Sequence, residues 1–340
     1  MKKFLKRILI YCAVGTIITV VALVFVENYI YKLNNSGENV VSSSTSDNNK
    51  NSETYTKISI PNDANSVQYS YDNKYYTYLK DNEIYINNID DGKNVTKISD
   101  KNNICYYNLL YDKNLIVYFT KVTTNNLTKI TLKTYDIASK NTRDDSNTIS
   151  IYNFSKIKNM DFSPVINIIY LNVETIASSK ESDVIYRIDL FQSISKYTSG
   201  IISENMVMLK NKDVLYYENS VGNIYYKKLK SSLFNEKVNL IGTDSDDNVY
   251  LINTRKTIIY KLANNKIVSK INITDSNVIS TYSNNTDVYL IYDTYVLNVS
   301  SDDNTKKLGI ITENQNFDAI KESTMYLRTS DNKVIKQKLK

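Results

Sequence analysis

Three carboxylates, Asp161, Glu204 and Asp318, fall with the amides Gln68 and Asn159 in short strand-like stretches at residues 157–162, 201–205, 317–320 and 66–69. Carboxylates gathered around one opening can act as acid and base on a glycosidic bond, for hydrolysis or elimination, and amides beside them can orient a polar ligand. These five are therefore the candidate channel-facing binding residues. A slip of one residue in strand phase would turn each of them to the opposite face. The sequence has no His and no Trp. That removes Ser-His-Asp and Cys-His catalysis, His-ligated zinc and the histidine pH switch.

Other chemistry-bearing matches are weaker. Ser330-Asp331-Asn332-Lys333 and Ser193-Ile194-Ser195-Lys196 satisfy Ser-x-x-Lys, but serine acyl-transfer enzymes spread their elements over the chain and complete them with a Lys-Thr-Gly strand, which does not occur here. Asp244, Asp246 and Asn248 have the first three oxygen positions of a calcium loop, with Val249 where Gly is needed and Arg255 where the bidentate Glu belongs. They are a weak metal candidate and read first as an Asx-rich turn. No cofactor is expected. Cys105 is the one thiol after the apolar segment that holds Cys12, so no disulfide is expected there, and it reads as a small strand residue.

The net charge of +6 is uneven: Lys2, Lys3, Lys6 and Arg7 supply four of the charges, leaving +2 for the rest of the 340 residues. So weak a field gives no reason to expect nucleic acid. Ile8 to Val26 is nineteen uncharged residues with Thr16 and Thr19 as the polar side chains, long enough to span about 30 Å of hydrocarbon, and Tyr29 and Tyr31 follow at the interface. No small-x-small cleavage pattern follows, and Tyr11 occupies the position where a lipobox needs a small residue. The expectation is a single-pass, uncleaved anchor in the cytoplasmic membrane, N-terminus inside and the C-terminal domain outside. Residues 1–7 form the cytoplasmic tail, 8–29 the anchor, 30–53 a polar flexible tether and 54–340 the folded domain. A seven-residue tail carries no output domain, so a signal would have to pass through a partner's helix.

The elements that must position the candidates are strands. From Tyr55 onward the chain is a succession of short runs rich in Tyr, Ile, Val and Thr, broken by Asp-Asn, Asn-Asn and Gly-Asn, with no long helical stripe. Central strands recur at 75–79, 115–119, 166–170, 214–217, 249–252, 288–292 and 325–327, each followed by a second strand of similar texture. Tyr75 to Met325 covers 250 residues in six intervals, about 42 per unit, the period of a four-stranded propeller blade. The last unit lacks a fourth strand, and an isolated strand at 54–60 has no unit of its own. Its pairing into the last blade would close the ring and remove the open edges. The expected fold is all-β, a seven-bladed β-propeller preceded by one transmembrane helix, with six or eight blades left open.

These repeats resemble, in a general way, the β-propeller superfamily: the bacterial envelope propellers of the Tol-associated type, the YWTD-like type and the propeller half of prolyl oligopeptidases. The resemblance covers residues 54–340. The Trp-Asp, Gly-His and Tyr-Trp-Thr-Asp signatures are absent, as is any Gly-x-Ser-x-Gly elbow, so it carries no functional residues over. The short basic start and the Asn-, Lys-, Ile- and Tyr-rich composition, including 30 Tyr, point to a low-GC Gram-positive bacterium, and the Tyr residues read chiefly as blade packing. The expected function is a non-catalytic, extracytoplasmic binding or scaffold module whose partner is an envelope protein or cell-wall glycan. The alternatives are an envelope glycan hydrolase or lyase using channel-mouth carboxylates, and a ligand-sensing subunit of a membrane complex.

Overall fold

A computed structural model describes residues 53–339 apart from 190–192, 285 and 302–305. The expected anchor at 8–29, and the tether up to residue 52, lie outside them. Among the described residues no helix is long and apolar enough to cross a membrane.

The described residues form seven four-stranded sheets, each antiparallel, following one another along the chain. Their inner strands, in blade order, are Asn65–Tyr69, Asn103–Leu109, Phe154–Ser163, Ser203–Met208, Val238–Thr243, Ser280–Ser283 and Gln315–Lys321. Blade 7 is completed by Glu53–Ser59, which pairs antiparallel with the last strand, Lys333–Lys338, and so joins the two ends of the domain. The blade count is seven, and the closure is the one the missing fourth strand implied.

Second strands read as continuous apolar runs because blades pack on both of their faces. Val249–Asn253 and Val288–Ile291 are buried at every position, whereas the outer strand Lys266–Asn272 has no buried residue. The core is correspondingly divided. Seven apolar clusters each join two neighbouring blades; one sets Val117, Phe119 and Leu132 of blade 2 against Ile169, Leu171 and Val173 of blade 3, and another sets Tyr69 and Tyr76 against Tyr326 across the closing seam. Each fully buried Ile, Leu or Val in such a seam contributes about 1.5–3 kcal/mol. Tyr serves the same end twice over, with ring and hydroxyl. Tyr69 stacks on Tyr326 at 4.1 Å, and the Tyr326 and Tyr170 hydroxyls donate to Asn73 and Asp213 in turns of the next blade, each at 2.7 Å.

Two strand assignments shift. The inner strand expected at 201–205 is Ser203–Met208, because Ile201 still belongs to the outer strand Ser193–Ile201 of blade 3. The central strand expected from 166 begins at Ile168, after Asn167 turns through a φ of 55°. The tight turns are as their residues implied: Asp81, Asn82, Gly222 and Asn332 all have positive φ.

Candidate functional site

The inner strands position the candidate residues, and they are not regular. In six of the seven blades the inner strand shifts register against its neighbour, at Asn65/Gln68, Ile104/Tyr106, Ile157/Asn159, Ser203/Asn205, Leu240/Gly242 and Phe317/Ala319. A bulge re-aims the side chains beside it, so strict alternation does not say which residues face the channel. Glu204 and Asp318 are themselves the skipped residues of blades 4 and 7.

Toward the C-terminal ends of the inner strands lies a cavity of about 360 Å³ to which all seven blades contribute. Four of the five candidates, Gln68, Asn159, Asp161 and Asp318, line it. Three of these brace adjacent blades. The Gln68 side chain accepts the Leu109 N–H at 2.7 Å and donates to the Tyr107 carbonyl at 3.2 Å, locking blade 1 to blade 2. Asp161 accepts the Met208 N–H at 2.6 Å, from blade 4, and the Phe162 N–H at 2.8 Å. Asp318 accepts the Tyr69 hydroxyl at 2.8 Å across the closing seam and is held by Arg328 through Nη2 at 2.7 Å and Nε at 3.0 Å. Asn205, which the sequence did not single out, repeats the pattern by donating to the Leu240 carbonyl of blade 5 at 2.7 Å. Blades 5 and 6 approach so closely that a Cβ on Gly242 would lie 2.3 Å from that of Ser283.

Glu204 stands apart. It is exposed and lines a second pocket, of about 430 Å³, together with Glu218, a residue of the second strand that a search restricted to inner strands misses. Glu218 is buried, and its carboxylate accepts the Leu240 N–H at 2.8 Å. Burial, and to a lesser extent the Glu204 charge, pushes its pKa up against the pull of that hydrogen bond.

The Asp244 turn is internally satisfied. Its carboxylate accepts the Asp246 and Asn248 N–H groups at 3.0 and 2.9 Å and the Tyr250 hydroxyl at 2.9 Å, with Lys261 at 3.5 Å, while Asp246 is exposed. Three carboxylates that could share a cation, Glu174, Glu181 and Asp183, come together instead on blade 3. Two lysines already pair with the three: Lys156 sits 3.4 Å from Glu174, and Lys158 sits 3.4 and 3.2 Å from Glu181 and Asp183.

The electrostatics of the 360 Å³ cavity differ. Burial raises the Asp161 pKa to about 6, against two backbone hydrogen bonds and the Lys210 charge that favour its ionised form. Burial lowers Lys210, whose ammonium lies 5.6 Å from the centre of the Tyr111 ring, and Asp247 opposes that shift. Lys321, at the end of the blade 7 inner strand, is brought down to about 8 by burial alone. Cys105 is half-buried, with its thiol raised to about 11 by burial, and donates to the Phe119 carbonyl at 3.4 Å. It is a packing residue rather than a nucleophile.

No protein-family model and no curated protein matches the chain. Solved structures do. A catalytically inactive virginiamycin B lyase from Staphylococcus aureus, with quinupristin, aligns over 85% of this chain and 100% of its own at 13% identity and a TM-score of 0.51. The alignment extends to Kluyveromyces lactis Hsv2 with loop 6CD replaced by a Gly-Ser linker (79% and 89%, 14% identity, TM-score 0.50) and to a chain of the mitotic checkpoint complex (89% and 97%, 11% identity, TM-score 0.50). What they share is the propeller. At such identities the likeness is one of fold, and it spans a lyase as well as a member of a multiprotein complex.

Proposed function

We propose that the chain is a non-catalytic binding module of the bacterial cell envelope, held on the outer face of the cytoplasmic membrane by residues 8–29 and presenting its propeller to an envelope protein or wall polymer. One observation carries the reading. The channel carboxylates a glycan-cleaving enzyme would use, Asp161 and Asp318, are engaged by backbone N–H groups, Arg328 and Tyr69 in bracing the ring. Side chains so committed hold blades together rather than move protons on a substrate. The test is in-cell crosslinking of a tagged full-length chain beside a control that carries residues 1–53 alone. A reproducible protein or glycan adduct dependent on the propeller supports the reading, and adducts no different from the control overturn it.

A second reading, hydrolysis or elimination on an envelope glycan, draws on Glu204 and Glu218, which share a pocket with one carboxylate exposed and the other buried with a raised pKa. That is the asymmetry an acid and base pair needs. Incubating the full-length protein with wall glycan decides it: sugar release that Glu218→Gln abolishes favours the enzyme, and no release removes it.

A further inference from the structure

The 360 Å³ cavity is lined largely by groups that already have partners, and three that do not stand out. Among the described residues no carboxylate pairs with Lys321, whose surroundings act on it through burial alone. The Tyr111 hydroxyl and the Asn159 Oδ1 are buried without a hydrogen-bond partner. All three line the same cavity. The carboxylates near Lys321 in sequence are turned elsewhere: Glu322, the next residue, is exposed in a turn with a φ of 50°, and Asp318 is taken by Arg328 and Tyr69.

An ammonium removed from water without a counter-charge is costly, and a buried polar atom without a partner forfeits about 1–3 kcal/mol. Three such groups facing one cavity are relieved together by a single ligand. It must carry a negative charge for Lys321, a donor for Asn159 Oδ1 and a polar group for Tyr111. The volume lies at the lower end of small-molecule sites, which run from about 300 to 1,000 Å³. We infer that the channel cavity binds a small hydroxylated carboxylate of the sugar-acid class, with Lys321 holding the carboxylate and Tyr111 and Asn159 meeting its hydroxyl groups. This goes beyond the envelope partner proposed above: a partner can be crosslinked to the outside of the ring whether or not the cavity takes a ligand, so the two stand or fall separately.

The test is calorimetric titration of the full-length protein in detergent with glucuronate, glucose and glucose 6-phosphate. Glucuronate and glucose differ at one carbon, carboxylate against hydroxymethyl, so their ratio isolates the charge. Glucuronate is expected to bind about tenfold or more tighter than glucose, the size of one charged hydrogen bond. Lys321→Met should erase that preference, and Tyr111→Phe should weaken glucuronate severalfold while leaving the preference in place. Equal binding of glucuronate and glucose, no binding of any of the three, tighter binding of glucose 6-phosphate than of glucuronate, or a preference that survives in a folded Lys321→Met protein would each overturn the assignment. Should Lys321→Met fail to fold, the decision falls to Tyr111→Phe and Asn159→Ala, and unchanged glucuronate affinity in both overturns it.

Discussion

Two charged regions of the propeller handle the same difficulty in opposite ways. On blade 3, Glu174, Glu181 and Asp183 crowd together, and the fold supplies Lys156 and Lys158, the Ser155 hydroxyl at 2.6 Å from Glu174 and the Ser203 N–H at 2.6 Å from Asp183. In the channel cavity no carboxylate among the described residues pairs with Lys321, and the Tyr111 hydroxyl and Asn159 Oδ1 have no hydrogen-bond partner. The first arrangement gives each carboxylate a charged partner within the protein, with Asp183 Oδ1 left unpaired, and ties blade 3 to blade 4 through Asp183 and the Ser203 N–H. The second leaves a charge and two polar atoms unmatched around one cavity, which is the ground for the ligand inferred above. The blade 3 acids have their partners within the fold, whereas the cavity lysine is the residue on which the inferred ligand rests.

The largest effect is expected where a buried ion-paired network is broken. Asp183→Ala removes a fully buried carboxylate, leaves Lys158 short of its partner and orphans the Ser203 N–H, a loss of about 3 kcal/mol by urea unfolding. Lys321→Met should have the opposite sign. It replaces an uncompensated ammonium with an apolar side chain of similar length and should be neutral or stabilising by about 1–2 kcal/mol at pH 7. Because burial holds Lys321 near 8, below its ordinary 10.5, its penalty is full below pH 8 and fades as pH rises from 8 toward 10.5. The stability difference between Lys321→Met and the parent should close over that window. A destabilised Lys321→Met protein with no such pH dependence would break the comparison.

The smallest effect concerns Asp161. Its pKa is raised from 3.8 to about 6, so the folded state holds the proton more tightly than the unfolded chain, and the carboxyl's contribution is greatest below pH 4 and is lost as pH climbs through 6. Asp161→Asn, which places an amide N–H₂ against a backbone N–H, should lower stability by about 1 kcal/mol and abolish that dependence. Unfolding free energies of parent and variant at pH 4 and pH 7 read the difference directly.

Much of the fold was legible because blades bury both faces of their central strands. Runs such as Val249–Asn253 and Val288–Ile291 announce themselves by apolar content and recur at a blade's period. The isolated first strand announced the closure. The inner strand of blade 4 starts two residues later than expected because a single residue, Ile202, separates it from the outer strand of blade 3, with no turn signal between them. The site was less legible, for two physical reasons. Bulges in the inner strands break the two-residue alternation on which facing is read. Whether a charge is free depends on partners that spacing does not reveal: Arg328, on the neighbouring strand, takes Asp318, which spacing alone leaves open as a channel carboxylate. Glu218 went unnoticed because it lies on a second strand, paired in register with Asn205.

The central claim is that this propeller binds without turning its ligand over. The most direct measurement is product analysis after the full-length chain is incubated with purified wall glycan, with Glu218→Gln and Asp318→Asn variants alongside. The account predicts no released sugar above the no-protein control for any of the three proteins. Release by the parent that either substitution abolishes, in a variant shown to be folded, would contradict it.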